Sequence, residues 1–119
     1  MTYRYTVPMI PPSLNHFAGR ENAWEYRSLK QQWTRDVCLL TKGNRPPSPL
    51  GRARVTLTYF FPDRRRRDPD NYAGKLILDG LKAAGVIADD SFDVIDLVLR
   101  GEYDKAFRRV EVEVEEVGP

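Results

Sequence analysis

The sequence has few of the residues that thiolate, redox and histidine-based sites require. It contains one cysteine, Cys38, and one histidine, His16. One cysteine cannot form an intrachain disulfide, and one cysteine with one histidine cannot supply the ligands of a zinc site. We therefore expect Cys38 to be an unreactive core residue of a helix and His16 to have a loop or packing role.

Long apolar runs are also missing. The longest cover only a few residues, such as positions 76–78, whereas a membrane-spanning helix needs about 20. The first residues show no basic segment followed by an apolar one, the pattern of a secretory signal. The sequence therefore predicts no membrane span and a cytoplasmic location.

Neither sign of charge is in large excess, because 19 lysines and arginines are balanced by 17 acidic residues, a net charge of +2. The total gives no argument for a polyanionic partner, so the positions of the charges must decide. The 119 residues fit one small domain over positions 1–119. Such a domain leaves about a third of its unfolded surface exposed, and a homodimer interface is a common way to bury more.

Hydrophobic periodicity predicts six elements in the order β-α-β-α-β-β. Strands are predicted over residues 2–7, 55–61, 94–103 and 109–117, and helices over 23–42 and from Pro69 to Gly85. We expect the last two strands to pair as a hairpin. The order indicates an α+β domain in which two helices cover one face of a small mixed sheet.

The most informative segment lies between the second strand and the second helix. It reads Asp-Arg-Arg-Arg-Arg-Asp-Pro-Asp-Asn over residues 63–71. Guanidinium groups bind phosphate oxygens bidentately, so four consecutive arginines indicate contact with a nucleic-acid backbone. The alternative interpretation is a solvated charge run paired with Asp63 and Asp68. The four residues are Arg64, Arg65, Arg66 and Arg67.

Two acidic pairs flank the second helix. Asp68 suits the N-cap and Asp70 the positive end of the helix dipole, so helix initiation alone accounts for much of the first pair. The second pair, Asp89 and Asp90, follows the helix. The pairs would lie about 25 Å apart along a straight helix. They meet only if the chain after Gly85 turns back.

Convergence of Asp68, Asp70 and Asp90 would create a site for a hard divalent cation, because oxygen ligands suit Mg²⁺ or Mn²⁺. Such an ion beside the arginines would bind a scissile phosphate and lower the pKa of a bound water. Lys75 would offer positive charge near the leaving group. Convergence of the three aspartates would therefore indicate metal-dependent phosphodiester cleavage. The sequence offers no Gly-rich phosphate loop or Ser-His-Asp set as another catalyst.

These residues resemble the RusA family of Holliday-junction resolvases. The likeness is carried by residues 63–71, Lys75, Asp79-Gly80-Leu81, Ala84-Gly85 and Asp89-Asp90. It extends to Pro11-Pro12-Ser13-Leu14-Asn15, which is similar to the family's Pro-Pro-Ser-x-Asn segment. The predicted element order also agrees with the family fold, so the resemblance covers nearly the whole chain.

The resemblance implies a homodimeric, Mg²⁺-dependent endonuclease that binds four-way DNA junctions and makes paired symmetrical nicks. Many members are carried by prophages. The family's three essential aspartates match Asp68, Asp70 and Asp90, with Asp89 as a weaker candidate, and its catalytic lysine matches Lys75.

The resemblance also bears on Asn15 and on the spacing between Asp70 and Lys75. Asn15 becomes a candidate for DNA contact together with the four arginines. The family's lysine follows the second aspartate by four residues, whereas Lys75 follows Asp70 by five. The extra residue implies an irregular turn between Tyr72 and Gly74.

Two other functions remain open at this point. A structure-selective DNA-binding protein would use its acidic residues only as caps and charge partners, and it would bind branched DNA without cutting it. A metal-dependent nuclease for flaps or RNA would cut without preferring junctions.

Overall fold

The computed structural model describes residues 1–13 and 23–118, and its elements follow the predicted order. The strands are β1 (Thr2–Val7), β2 (Ala53–Phe61), β3 (Ile95–Tyr103) and β4 (Arg109–Glu116), and the helices are α1 (Ala23–Thr41) and α2 (Lys75–Ala83). A 3₁₀ turn, Pro69–Tyr72, precedes α2. The strands and α1 agree with their predicted bounds within about two residues, whereas α2 is shorter than predicted.

The four strands form one mixed sheet in the order β1-β4-β2-β3. β4 is antiparallel to both of its neighbours, and β2 and β3 are parallel. Val110, Val112 and Val114 of β4 are buried, and side chains from both helices share their core, among them Val37 of α1 and Ile77 of α2. The glutamates between the valines lie on the opposite face. The predicted α+β domain, with helices on one face of a mixed sheet, is confirmed.

The predicted hairpin between the last two strands is wrong. β3 lies at the edge of the sheet beside β2, and β4 lies between β1 and β2. After β3, the backbone N–H of Asp104 donates to the carbonyl of Phe61 at 2.8 Å, so the connection passes over the end of β2 before β4 begins. The long connection through α2 permits parallel pairing of β2 with β3. Alternation identifies a strand but does not identify its partner.

The second helix begins at Lys75 and not at Pro69, where the sequence predicted its start. Pro69 instead opens the 3₁₀ turn, which Asp68 precedes without a side-chain capping hydrogen bond. Gly74 then has a φ of 81°, a left-handed conformation that glycine adopts without steric cost. This break accounts for the irregular turn expected before Lys75.

The chain after α2 turns back along the helix. Gly85 has a φ of 79°, and a parallel bridge then joins Ile87 to Leu50, just before β2. The N–H of Leu50 donates to the Val86 carbonyl at 3.0 Å, and the N–H of Ala88 donates to the Leu50 carbonyl at 2.9 Å. These bonds anchor the segment that carries the second acidic pair.

α1 packs closely on α2 at Gly80. A Cβ atom at Gly80 would lie 2.5 Å from the Cβ of Val37, so the glycine permits the close approach of the two helices. Cys38, on the same helix as Val37, is partly buried against the core with a free thiol. In the described part of the chain, no helix is long and apolar enough to cross a membrane.

Candidate functional site

Lys75, the first residue of α2, connects this helix to the second acidic pair. Its Nζ donates to Asp79 Oδ1 at 3.0 Å and to Asp90 Oδ2 at 3.3 Å. The hydrogen bond to Asp79 is the main reason that the pKa of Lys75 lies above its ordinary value. Lys75 is therefore protonated at neutral pH and supplies a positive charge, not a general base.

The two members of the second acidic pair have different surroundings. Asp90 contacts Lys75, whereas Asp89 pairs at 3.0 Å with Lys82 near the end of α2. The hydrogen bond from Lys82 lowers the pKa of Asp89. Asp89 Oδ1 also accepts the backbone N–H of Asp90 at 2.9 Å. Asp89 thus holds the returning segment on α2, and Asp90 is the member that reaches Lys75.

The first acidic pair lies at the 3₁₀ turn. Asp68 Oδ1 accepts from Arg66 Nε at 3.3 Å, and Asp70 is exposed within the turn. Among residues 1–13 and 23–118, no group of three histidine, cysteine, aspartate or glutamate side chains lies close enough to hold a metal ion. The structure therefore brings Asp90 to Lys75 but does not gather Asp68, Asp70 and Asp90 into one cluster.

The loop of residues 63–67, here the arginine loop, is ordered by its last member. Arg67 NH1 lies 2.9 Å from Asp63 Oδ1, and the Arg67 side chain is only 18% exposed. Its guanidinium carbon lies 4.3 Å from the centre of the Phe61 ring, a cation–π distance. A backbone hydrogen bond from Arg65, followed by the Arg67 side chain, lowers the pKa of Asp63. Arg67 and Asp63 thus hold the loop on the end of β2.

The other arginines of the loop are more available to a ligand. The side chains of Arg65 and Arg66 are 79% and 88% exposed. Arg64 is exposed and lies over the ring of Tyr103 at 4.3 Å. Their acidic neighbours account for part of the charge, as the solvated-run interpretation expected, yet three guanidinium groups still face solvent.

An aromatic cluster packs the 3₁₀ turn against β2. Tyr72 of the turn packs edge-on against Tyr59 and Phe61 of β2, with ring centres 5.6 and 5.2 Å apart. A cavity beside the cluster is lined by these rings together with Asp68 and Gly101. The Tyr59 hydroxyl is buried without a hydrogen-bond partner among the described residues, and burial raises its pKa. The cluster therefore anchors the 3₁₀ turn to β2 and fixes the position of the first acidic pair.

The proline-rich segment near the N-terminus lies close to the same turn. Pro11 and Pro12 line a small cavity with Asn71 and Lys75. The two prolines of the segment that resembles the RusA family therefore lie near Lys75. Asn15 and His16, which the sequence analysis singled out, lie outside the described residues.

Asp79 is a member of this site that the sequence analysis did not propose as functional. It contacts Lys75, four residues earlier on α2, and its side chain is 12% exposed. The i,i+4 spacing of a lysine and an aspartate was visible in the sequence as a helix-stabilising pattern. Its burial and its link to Asp90 through Lys75 required the tertiary structure.

Two curated relatives match this chain over most of its length. No protein-family model matches the sequence. The chain is 37% identical over 102 residues to the crossover junction endodeoxyribonuclease rusA of Enterobacteria phage HK97. The aligned region covers 83% of this chain and 82% of that protein. It is 33% identical over 119 residues to the protein of the same name from Enterobacteria phage 82. This alignment covers 98% of this chain and 97% of that protein. The chain belongs to the RusA family.

The RusA-family motif residues fall on three neighbouring pieces of this fold. The arginine loop follows the end of β2, and the 3₁₀ turn follows the loop. Lys75 begins α2 directly after Gly74. The five-residue spacing between Asp70 and Lys75 includes the left-handed Gly74. The longer spacing thus leaves Lys75 in the first turn of α2, within reach of Asp90.

Proposed function

We propose that the protein is a Mg²⁺-dependent, structure-selective endodeoxyribonuclease that resolves Holliday junctions by paired symmetrical nicks. The observation that carries the proposal is the contact between Lys75 and Asp90, which links the second acidic pair to the helix that follows the first. The names of the two RusA relatives support the reaction. The exposed guanidinium groups of Arg65 and Arg66 support a polyanionic substrate.

We infer that Asp68, Asp70 and Asp90 hold the divalent cation, with Mn²⁺ as a substitute for Mg²⁺. The chemistry of the donor set supports this, because all three side chains offer the carboxylate oxygens that hard cations prefer. Asp68 contacts Arg66 and Asp90 contacts Lys75, so both carboxylates must exchange a cationic side chain for the ion. When bound, the ion would activate water and neutralise charge on the phosphoryl oxygens.

The side chains around the carboxylates bind and orient the DNA in this proposal. Lys75, protonated and close to Asp90, stabilises the negative charge that develops on the leaving oxygen. The arginine loop contacts backbone phosphates, which positions the strand without reading its sequence. Asn15 adds a further DNA contact.

Replacing Arg65 and Arg66 together with alanine is expected to weaken binding to a four-way junction and to linear duplex alike. Each lost phosphate contact removes about 0.9 from the slope of log affinity against log salt, so the slope becomes shallower by about 2. Fluorescence anisotropy with labelled DNA over a salt series measures the slope.

The matched control for this variant removes two arginines from the sheet face opposite the helices. Arg4 and Arg54 are exposed and lie 3.2 and 3.3 Å from Glu113 and Glu115. Replacing this pair with alanine is expected to leave the salt slope unchanged. Equal slopes for wild type and the Arg65/Arg66 variant would exclude the arginine loop as the DNA contact.

We further propose that residues 1–119 form one nuclease domain, that two copies act as a homodimer, and that the protein works in the cytoplasm. Symmetrical cleavage of two strands in a twofold junction suits a twofold protein, and the small core supports association. Light scattering at the concentrations used for cleavage measures the assembly. A mass equal to one chain would contradict the dimer.

The decisive experiment incubates purified protein with a labelled synthetic four-way junction, with Mg²⁺ and with EDTA, beside linear duplex, flap and RNA substrates. Paired nicks in the junction alone, lost when EDTA removes the cation, are the expected result. Junction binding without nicks would favour the non-catalytic DNA-binding protein. Cleavage of every substrate at similar rates would favour a general metal-dependent nuclease.

A further inference from the structure

We propose that Asp79 positions Lys75 for cleavage, as a partly buried carboxylate that keeps the ammonium group in place while Asp90 engages the cation. The inference rests on the proposed function, because it gives a role to a residue that acts through Lys75. Asp79 itself is a positioning residue and contacts neither metal nor DNA in this scheme.

The geometry separates the two acceptors of Lys75. Asp79 Oδ1 accepts at 3.0 Å from within α2, and Asp90 Oδ2 accepts at 3.3 Å from the returning segment. Asp90 must turn toward the cation in the proposed function, which removes one of the two bonds. Asp79 is then the partner that remains, so the ammonium position does not depend on the state of Asp90.

The burial of Asp79 distinguishes it from an ordinary surface ion pair. Its side chain is 12% exposed, whereas that of Lys75 is 51% exposed. Asp79 Oδ2 is fully shielded and makes no directed hydrogen bond among the described residues, although Lys30 Nζ of α1 lies 3.5 Å away. Exposed pairs are mobile and weakly coupled. A carboxylate enclosed between α1 and α2 instead presents one oxygen to Lys75 in a fixed direction.

Contacts with α1 hold the Asp79 carboxylate in place without help from the segment that bears Asp90. Gly80, the residue after Asp79, faces Val37 of α1 where the two helices meet. The carboxylate thus belongs to the packed helix pair, and rigid elements hold functional groups more precisely than loops do. Arg4, which lies 3.2 Å from Glu113 on the sheet face opposite the helices, provides a surface ion pair for comparison.

The test compares wild type with Asp79→Asn, in which the side chain keeps its size but loses its charge. Single-turnover cleavage of the junction is expected to slow by about 10- to 100-fold, the effect typical of residues that orient a catalytic group, while junction affinity stays the same. Asp79→Glu is expected to recover part of the rate. Arg4→Ala, which breaks an ion pair with Glu113 on the sheet face opposite the helices, is expected to cleave at the wild-type rate.

The coupling to Lys75 separates positioning from a purely structural role. In a Lys75→Met background, Asp79→Asn is expected to cause no further loss, because there is no ammonium group left to orient. An unchanged rate in Asp79→Asn, or the same fractional loss with and without Lys75, would overturn the inference. If Asp79→Asn does not fold, as judged by thermal melting, Asp79→Glu must show a loss that disappears in the Lys75→Met background.

The outcome for wild type distinguishes this inference from the function on which it rests. Wild-type protein that cleaves junctions while Asp79→Asn cleaves equally well refutes the positioning role alone. Wild-type protein that binds but does not cleave refutes the nuclease proposal, and the positioning role with it.

Discussion

Asp70→Asn is expected to abolish nicking of a four-way junction while leaving junction affinity unchanged or raised. The substitution keeps the size of an exposed side chain in the 3₁₀ turn but removes a proposed metal ligand. We expect the single-turnover rate to fall by at least about 100-fold, since loss of a single charge-stabilising group in an active site has effects of this size. Affinity does not fall, because a negative charge that faces phosphate is removed. Cleavage and anisotropy assays on one junction measure both quantities.

Asp96→Asn is the matched control for this experiment. Asp96 is a half-exposed aspartate on β3 that pairs with Arg52 at 3.0 Å, and it belongs to none of the proposed site residues. Its replacement is expected to leave the nicking rate within about a factor of two, as is usual for surface positions. Retained cleavage in Asp70→Asn would remove the metal-bound carboxylates from the mechanism, even if the protein proves to be a resolvase.

Gly74→Ala is expected to reduce the free energy of unfolding by about 2–4 kcal/mol, the sum of a left-handed backbone penalty and overpacking. Gly74 has a φ of 81°, and an added Cβ would collide with the side chain of Leu57, which is fully buried in β2. Urea denaturation followed by circular dichroism measures the change. Because Gly74 lies directly before Lys75, we also expect the folded fraction of this variant to cleave more slowly.

Gly43→Ala tests the two contributions separately. Gly43 also has a positive φ, of 87°, but nothing lies within 4 Å of an added Cβ. Its replacement is expected to cost only the backbone penalty of about 1–2 kcal/mol. Equal losses for both glycines would mean that the Leu57 side chain moves aside and that Gly74 is required only for its backbone conformation.

Local sequence patterns determined the elements of this protein and most of its candidate residues. Alternating valines and glutamates identified β4, and the repeat of apolar residues identified α1, because burial of one face acts over neighbouring positions. The arginine run and the acidic pairs were equally visible, since charge type is a property of the residues themselves. Resemblance in the motif around Asp68 and Asp70 led to the RusA family, to which the chain belongs.

The start of α2 shows where local patterns stop being sufficient. Asp68 and Pro69 form an ordinary helix-start pattern, yet the helix begins only at Lys75. The aromatic packing of Tyr72 on β2 and the left-handed Gly74 divide the segment into a turn and a helix. Both depend on contacts with a strand that is distant in sequence.

The tertiary structure alone decided the strand partners and the contacts within the site. The insertion of β4 between β1 and β2 depends on hydrogen bonds between residues more than 40 positions apart, which alternation cannot encode. The meeting of Asp90 with Lys75 follows from the return of the chain after Gly85, and the shielding of Asp79 follows from the packing of α1 on α2. Periodicity reports which face of an element is apolar, whereas the relative position of two charged side chains is set by how the whole chain packs.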